Sequence, residues 1–161
     1  VSAIAEFEPL DHRFQRVGQL DDVIYIDDSK ATNVGATLAA LQGLAPGTKV
    51  VLIGGGDAKG ADLSVLQCAL SNFAVGVVAL GKDAEALLAV AHAAGVAHRY
   101  VENMTAAVAV AREMSTGADM VLLSPACSSF DMFRNFVERG QVFAGAVRAL
   151  GAESVAGSGV S

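Results

Sequence analysis

Short apolar runs alternate along the chain with stretches of helical periodicity. Most of these runs are uninterrupted by polar residues, which is typical of strands buried on both faces of a parallel sheet. Their spacing of roughly 25 residues predicts right-handed strand–helix–strand units with helices on both sides of the sheet. The runs are Val23–Ile26, Lys49–Ile53, Val75–Leu80, His98–Val101 and Met120–Leu123.

Between these runs, and again after the last one, apolar residues recur at intervals of three or four, as on the inward face of a helix. The stripes are Val34, Leu38 and Leu41; Leu87, Leu88 and Ala91; Ala107, Val108 and Ala111; Phe133, Phe136 and Val137; and Val142, Ala146, Val147 and Leu150. Each stripe predicts a helix that packs against the sheet.

The start of the chain breaks this alternation. Residues 13–17 predict a strand and residues 18–22 a turn into the first apolar run, so one antiparallel edge strand should precede the parallel sheet. The sequence therefore predicts an α/β fold, a Rossmann-like three-layer domain over residues 1–150. Small and polar residues over 151–161 predict a flexible C-terminal tail.

Composition narrows the possible partners. The 161 residues include 11 Lys and Arg against 17 Asp and Glu, a formal net charge of −6, and the basic residues are scattered. Nucleic-acid binding requires clustered cations, so no nucleic-acid partner is expected. No apolar run approaches the roughly 18 residues of a membrane helix, so no membrane association is expected. Cys68 and Cys127 form no C-x-x-C pair, which favours a reduced, cytoplasmic protein.

Candidate chemistry is concentrated where three of the predicted strands end. Ligands of open α/β sheets bind outside the carboxyl ends of the strands. We call the three polar segments at these ends rim loop 1 (Asp27–Asn33), rim loop 2 (Gly54–Gly60) and rim loop 3 (Ser124–Asp131). The predicted site lies where these loops meet.

Rim loop 1 carries Lys30 just before a predicted helix whose N-cap is Thr32 or Asn33. A helix N-terminus attracts carboxylate or phosphate, and the lysine adds a full positive charge. Asp27 and Asp28 are potential acceptors for hydroxyl or amine groups. Taken alone, the loop is better explained as an ordinary N-cap with solvated charges.

Rim loop 2 combines four glycines with Lys59, which suits close approach of the backbone to an anion. It lacks the Lys-Ser/Thr pair of a P-loop, and a glycine-rich turn with an exposed lysine is an equal alternative. In rim loop 3, Ser128 or Ser129 is expected to cap the next helix, with Asp131 in its first turn. Cys127 is expected to be a small buried thiol rather than a nucleophile, because no histidine lies in these loops.

Other candidates are weaker when judged by themselves. Arg13, in the segment Asp11-His12-Arg13, suits a phosphate at the same rim. Arg134 and Arg139 are expected to be surface charges. Aromatic residues 130, 133 and 136 are expected to lie in the core rather than to form a stacking platform.

Four segments in order resemble the C-terminal domain of the Mur ligase family, in the form found in its D-glutamate-adding members. They are Asp28-Ser29-Lys30-Ala31-Thr32-Asn33, Gly55-Gly56-Asp57-Ala58-Lys59, Leu123-Ser124-Pro125-Ala126-Cys127-Ser128-Ser129-Phe130-Asp131 and Arg139-Gly140, together with Asp11-His12-Arg13. The resemblance covers residues from about His12 to Leu150, nearly the whole chain.

The resemblance implies an ATP-dependent ligase that adds D-glutamate to UDP-N-acetylmuramoyl-L-alanine in peptidoglycan synthesis through an acyl phosphate. It implies three domains. The N-terminal domain binds the nucleotide precursor, and the central domain carries the P-loop and the magnesium ligands. The third domain binds the incoming amino acid and closes over ATP. Only the third corresponds to these 161 residues, so the implied cofactors are ATP and Mg²⁺, and this domain alone is expected to be inactive.

Residue roles follow from the same resemblance. It implies a D-glutamate site of Thr32, Lys59, Ser129, Phe130 and Phe136, with Ser129 rather than Ser128 as the liganding hydroxyl. It also implies ATP contacts through Arg13 and Asp28, a catalytic position between the two ligands for Lys30, and no metal ligand in this domain. The competing hypotheses are a stand-alone module that binds a dicarboxylate or nucleotide, and a Rossmann dehydrogenase, which the absent dinucleotide fingerprint disfavours.

Overall fold

The computed structural model describes residues 12–151, in which six strands and five α-helices form three layers. The strands are β1 (Gln15–Leu20), β2 (Val23–Asp27), β3 (Val50–Gly54), β4 (Ala74–Ala79), β5 (Ala97–Tyr100) and β6 (Met120–Leu123). The helices are α1 (Val34–Gln42), α2 (Gln67–Phe73), α3 (Ala84–Ala93), α4 (Met104–Met114) and α5 (Phe136–Ala149). The α/β fold predicted from the sequence is confirmed.

The strand order is β1-β2-β6-β3-β4-β5, and only the β1–β2 pair is antiparallel. The predicted antiparallel edge strand is therefore confirmed, although it runs over Gln15–Leu20 instead of 13–17. The turn is correspondingly tighter and is centred on Asp21, whose φ is 56°. A bulge between Arg16 and Gly18 shifts the register of the β1–β2 pair. Because β1 contains several polar residues, the hydrophobicity pattern did not indicate where the strand begins and ends.

The buried strands have no polar face because helices cover both sides of the sheet. Leu52 and Ile53 are both fully buried, yet they belong to opposite core clusters. Helices α1, α2 and α3 pack with the Leu52 cluster, and α4 and α5 pack with the Ile53 cluster. This two-sided burial explains why apolar residues follow one another without alternation.

The helical stripes predicted four of the five helices. The stripes from Phe133 and Val142 belong to a single helix, α5, which begins at Phe136. The fifth, α2, follows a short 3₁₀ turn (Leu63–Leu66) and was not among the predicted stripes. A one-domain extent of 1–150 stays a prediction, since residues 1–11 lie outside the described part. The predicted flexible tail, apart from Gly151, also lies outside it.

The strand order also positions the candidate site. Strand β6 lies between β2 and β3, although it is last in the sequence. Rim loops 1, 3 and 2 follow β2, β6 and β3, so they occupy three neighbouring positions along the carboxyl edge of the sheet. Within residues 12–151, no helix is both long enough and apolar enough to cross a membrane.

Candidate functional site

Rim loop 1 begins with two buried aspartates whose oxygens already have protein partners. Asp27 Oδ2 lies 2.6 Å from His12 Nδ1, and Asp27 Oδ1 accepts a hydrogen bond from the Ser29 amide at 2.9 Å. Asp28 Oδ1 accepts from the Phe14 amide at 2.9 Å, and Oδ2 accepts from Ser124 Oγ at 2.8 Å. Both carboxylates therefore help to fix the loop, which the sequence alone left as a set of solvated charges.

The second half of rim loop 1 presents Lys30 and Thr32 at the start of α1. The N-cap is Asn33, whose side chain accepts from the Ala36 amide, so one of the two predicted caps is confirmed. Lys30 Nζ lies 4.5 Å from the ring centroid of Phe136, within range of a cation–π contact. The edge of His12 packs against the same ring, with the centroids 6.2 Å apart.

The backbone of rim loop 2 requires a glycine at position 55. Gly55 has a φ of 114°, and a Cβ placed there would collide with the backbone carbonyl of Leu80. Lys59 also adopts a left-handed conformation, with a φ of 52°, and its amide donates to Asp57 Oδ1 at 2.9 Å. Its side chain is exposed at the rim, with Nζ 5.9 Å from the ring centroid of Phe130.

The loop after β4 (residues 80–83) is hydrogen-bonded to rim loop 2 and stabilises it, a role that was not predicted from the sequence. Asp83 Oδ2 accepts from the Ala58 amide at 2.7 Å, and the Asp83 amide donates to the Gly56 carbonyl at 2.8 Å. Asp131 Oδ2 accepts from the Lys82 amide at 2.8 Å and so joins rim loop 3 to the same loop. The available signal was Gly81-Lys82-Asp83, a fourth polar segment directly after a predicted strand and, like rim loop 2, one that contains glycine.

Rim loop 3 departs from the predicted local structure. No helix starts at Ser128 or Ser129: residues 129–135 form turns and bends, and α5 is capped by Asn135 through the Glu138 amide. Consequently Asp131 is not in a helical first turn. The amide of Ser128 instead pairs with the carbonyl of Asp57 at 2.8 Å, which joins rim loops 2 and 3.

Of the side chains predicted around rim loop 3, Cys127 matches the expectation and Phe130 does not. Cys127 is the predicted buried thiol: it is fully buried, and burial raises its pKa to about 12. Phe130 was expected in the core, but the residue is 69% exposed, and Phe133 and Phe136 are only partly buried. A run of aromatics at helical spacing misled here because only Phe136 lies in the helix.

Arg139 was predicted to be a surface charge, and that prediction is wrong. The residue is 2% exposed. Its guanidinium donates to Ser29 Oγ at 2.9 Å, to the Ser29 carbonyl at 2.7 Å and to the Cys127 carbonyl at 2.9 Å. The signal in the sequence was its place in α5, four residues before the buried Phe143 and eight before Val147, on the inward stripe.

The three rim loops and the start of α5 border an open cavity of about 310 Å³ that is lined by six residues. They are Thr32, Lys59, Ser128, Ser129, Phe130 and Phe136. All five residues expected from the resemblance to form the amino-acid site are thus neighbours, together with Ser128. The lining combines one cation, three hydroxyls and two aromatic rings, and none of the six side chains is acidic.

A second cavity, of about 710 Å³, opens on the other side of rim loop 1. Arg13, Asp28 and Lys30 lie at one end of it, and alanines of α1 line its wall. Burial raises the pKa of Asp28 above its usual range, and its two hydrogen bonds leave lone pairs on both oxygens. Residues 12–151 contain no group of three or more His, Cys, Asp and Glu placed to hold a metal ion.

Comparison with known proteins identifies the family to which this arrangement belongs. The family model described as Mur ligase, glutamate ligase domain, matches residues 12–127. The chain belongs to the Mur ligase family. Within it, this domain is 48% identical over 93% of its length to the UDP-N-acetylmuramoylalanine–D-glutamate ligase of Pseudomonas syringae pv. tomato, and 46% identical over 91% to that of Methylobacillus flagellatus.

The chain spans about a third of the length of these relatives, 34% and 32% respectively. Solved structures agree with the fold at lower identity. The structure of UDP-N-acetylmuramate-alanine ligase from Thermotoga maritima matches 92% of this chain with a TM-score of 0.59 and 18% identity. The match covers 32% of that ligase. MurF ligase from the same organism, in complex with ADP, matches 91% of this chain with a TM-score of 0.59 and 16% identity. This second match covers 33% of MurF.

Proposed function

We propose that this domain is the amino-acid-binding part of a ligase that uses ATP to join D-glutamate to UDP-N-acetylmuramoyl-L-alanine. The two relatives described above, at 46–48% identity, are both named as ligases of UDP-N-acetylmuramoylalanine and D-glutamate. The observation that carries the proposal is the small cavity of Thr32, Lys59, Ser128, Ser129, Phe130 and Phe136.

The chemistry of this cavity suits D-glutamate. The amino acid has two carboxylates, and the cavity supplies the ammonium group of Lys59 and the hydroxyls of Thr32 and Ser129. Charge-assisted hydrogen bonds to carboxylates are stronger than neutral ones, and no acidic side chain of the lining opposes the ligand. Within residues 12–151, the Ser129 hydroxyl makes no hydrogen bond to protein, so it is available to a ligand.

ATP would occupy the neighbouring groove, and the residues there fit it. Arg13 can meet phosphate oxygens, and Asp28 can accept from ribose hydroxyls through its remaining lone pairs. ATP would supply the phosphoryl group that activates the alanyl carboxylate. Lys30 separates the groove from the small cavity, where it can offset negative charge and orient the amine.

The remaining components would come from the rest of the ligase. We expect the N-terminal domain to hold the uridine nucleotide and the central domain to hold the P-loop and Mg²⁺. Residues 1–161 alone should therefore form no product, although they contribute the D-glutamate contacts. A cytoplasmic location is also proposed, and the two free cysteines are consistent with it.

The test is steady-state kinetics of the full-length ligase with Lys59→Ala. The KM for D-glutamate should rise about 100-fold, which is equivalent to about 3 kcal/mol for a lost charge-assisted contact. The KM for the nucleotide precursor should change less than about twofold. Lys49→Ala is the matched control, because Lys49 is also an exposed lysine but lies directly before β3, at the end opposite rim loop 2. An unchanged KM for D-glutamate would remove the cavity from the reaction.

A further inference from the structure

Arg139 is a buried cation that has no carboxylate partner at hydrogen-bond distance among residues 12–151. Its hydrogen bonds end on two carbonyls and one hydroxyl, those of Ser29 and Cys127. Burial lowers the pKa of its guanidinium to about 10, which still leaves it protonated at neutral pH. Burying a charge is unfavourable unless hydrogen bonds compensate for the lost hydration. The segments that accept the hydrogen bonds of Arg139 therefore indicate its role.

The acceptors of Arg139 belong to different rim loops. Ser29 lies in rim loop 1, one residue before Lys30, and Cys127 lies in rim loop 3, two residues before Ser129. Ser29 Oγ also donates to the carbonyl of Phe136 at 2.7 Å, which ties the first residue of α5 to the same point. One guanidinium therefore links the backbone segments that carry the hydroxyls and the aromatic rings of the small cavity, whereas its cation, Lys59, belongs to rim loop 2.

Gly140 allows this arrangement to form. A Cβ at Gly140 would lie 2.6 Å from Asp27 Oδ2, so only glycine lets α5 approach the His12–Asp27 pair this closely. The approach of the helix brings Arg139 under rim loop 1. The Arg139-Gly140 sequence is thus one feature, with a glycine for proximity and an arginine for the fork of donors.

We propose that Arg139 is a positioning residue that sets the spacing of rim loops 1 and 3, and with it the distance between Ser129 and Thr32 across the cavity. It does not touch the ligand site itself, since it is absent from the cavity lining. The link from loop spacing to D-glutamate rests on the proposed function. The link from Arg139 to loop spacing does not.

The experiment uses the full-length ligase with three variants: Arg139→Lys, Ser29→Ala and, as a control of equal charge on the same helix, the exposed Arg148→Lys. Lysine at 139 keeps the charge but cannot reach three acceptors at once. Ser29→Ala removes only the hydroxyl, so it covers the case in which Arg139→Lys fails to fold. Folding is checked by circular dichroism and thermal melting.

The first readout is alkylation of Cys127, followed by peptide mass spectrometry, with the exposed Cys68 as an internal reference. We expect Arg139→Lys and Ser29→Ala to raise the Cys127 labelling rate at least tenfold, and Arg148→Lys to leave it unchanged. Equal protection of Cys127 in all folded variants would overturn the proposal.

The second readout is the KM for D-glutamate, which a purely structural arginine would not move. We expect Arg139→Lys to raise it about tenfold and Ser29→Ala less, with the KM of the nucleotide precursor unchanged. Loosened Cys127 with an unchanged KM for D-glutamate would overturn the positioning role. If Lys59→Ala also leaves that KM unchanged, the proposed function fails instead, and the labelling rate alone decides whether Arg139 sets the loop spacing.

Discussion

The two halves of the candidate site are built on opposite principles. On the side of rim loops 1 and 3, Asp27, Asp28, Ser29, Ser124 and Arg139 are buried, and all of them are hydrogen-bonded to protein. On the side of rim loop 2, the side chain of Lys59 and the neighbouring Phe130 of rim loop 3 are exposed, with Lys59 Nζ 5.9 Å from the centre of the Phe130 ring. The buried half fixes geometry and the exposed half supplies contacts, so substitutions should separate loss of stability from loss of affinity.

The largest contrast should appear in the chemistry of the two cysteines. Because burial raises the pKa of Cys127 to about 12, only about one molecule in a thousand carries its thiolate at pH 9. We expect alkylation at pH 9 to modify exposed Cys68 rapidly and Cys127 roughly a thousandfold more slowly than an ordinary thiol. Peptide mass spectrometry after timed labelling measures both rates.

The sign of the pH dependence follows from the same pKa. The unfolded thiol ionises near 9 and the folded one near 12, so protonated Cys127 favours the folded state fully below pH 9 and progressively less up to about pH 12. Protection of Cys127 should weaken over this window. Equal labelling of both cysteines at pH 9 would contradict the buried environment of rim loop 3.

The next largest effect should come from Gly55→Ala, which tests whether rim loop 2 is fixed at its base. The new Cβ would meet the Leu80 carbonyl at a φ of 114°, so we expect a loss of about 3 kcal/mol or more in the free energy of unfolding. Denaturant unfolding of the full-length ligase measures it. Gly47→Ala, with a φ of 89° and open space around it, is the control and should lose only about 1 kcal/mol.

A smaller and purely structural effect is expected for Thr37→Val in the buried half. Thr37 Oγ1 donates to the Ser124 carbonyl at 3.1 Å and lies 3.0 Å from Ser124 Oγ, which in turn holds Asp28. Valine keeps the shape and removes the hydroxyl, so stability should fall by about 1–2 kcal/mol. Thr48→Val, whose hydrogen bond to Ala45 is exposed, should change it by less than about 0.5 kcal/mol.

Sequence patterns predicted the framework of this molecule better than the bonds that hold its site together. Strand β6, Met120–Leu123, was predicted to the residue because a strand buried on both faces leaves an unbroken apolar run. Arg139 was misread because its burial depends on the strand order, which places rim loops 1 and 3 side by side. An arginine with three acceptors from distant segments has no local signature beyond its place on an inward helical stripe.

The same limit explains the local error in rim loop 3. Ser128 and Ser129 are good N-cap residues, but their backbones are engaged elsewhere: the Ser128 amide pairs with Asp57, and the Ser129 carbonyl accepts from Met132 and Phe133. The helix begins only at Phe136, with Asn135 as its N-cap. The residues grouped by resemblance are neighbours in space, but their roles toward D-glutamate and ATP stay predictions.

The smallest effect separates contact from framework most directly, and it concerns Phe130. Because this residue is 69% exposed, Phe130→Ala should change the free energy of unfolding by less than about 0.5 kcal/mol. In the cavity, however, the ring lies 5.9 Å from Lys59 Nζ and forms one wall, so KM for D-glutamate should rise about threefold. Val65→Ala, an exposed apolar residue outside the site, is the control for both measurements. A large loss of stability with an unchanged KM would assign Phe130 to the framework and reverse the division between the two halves of the site.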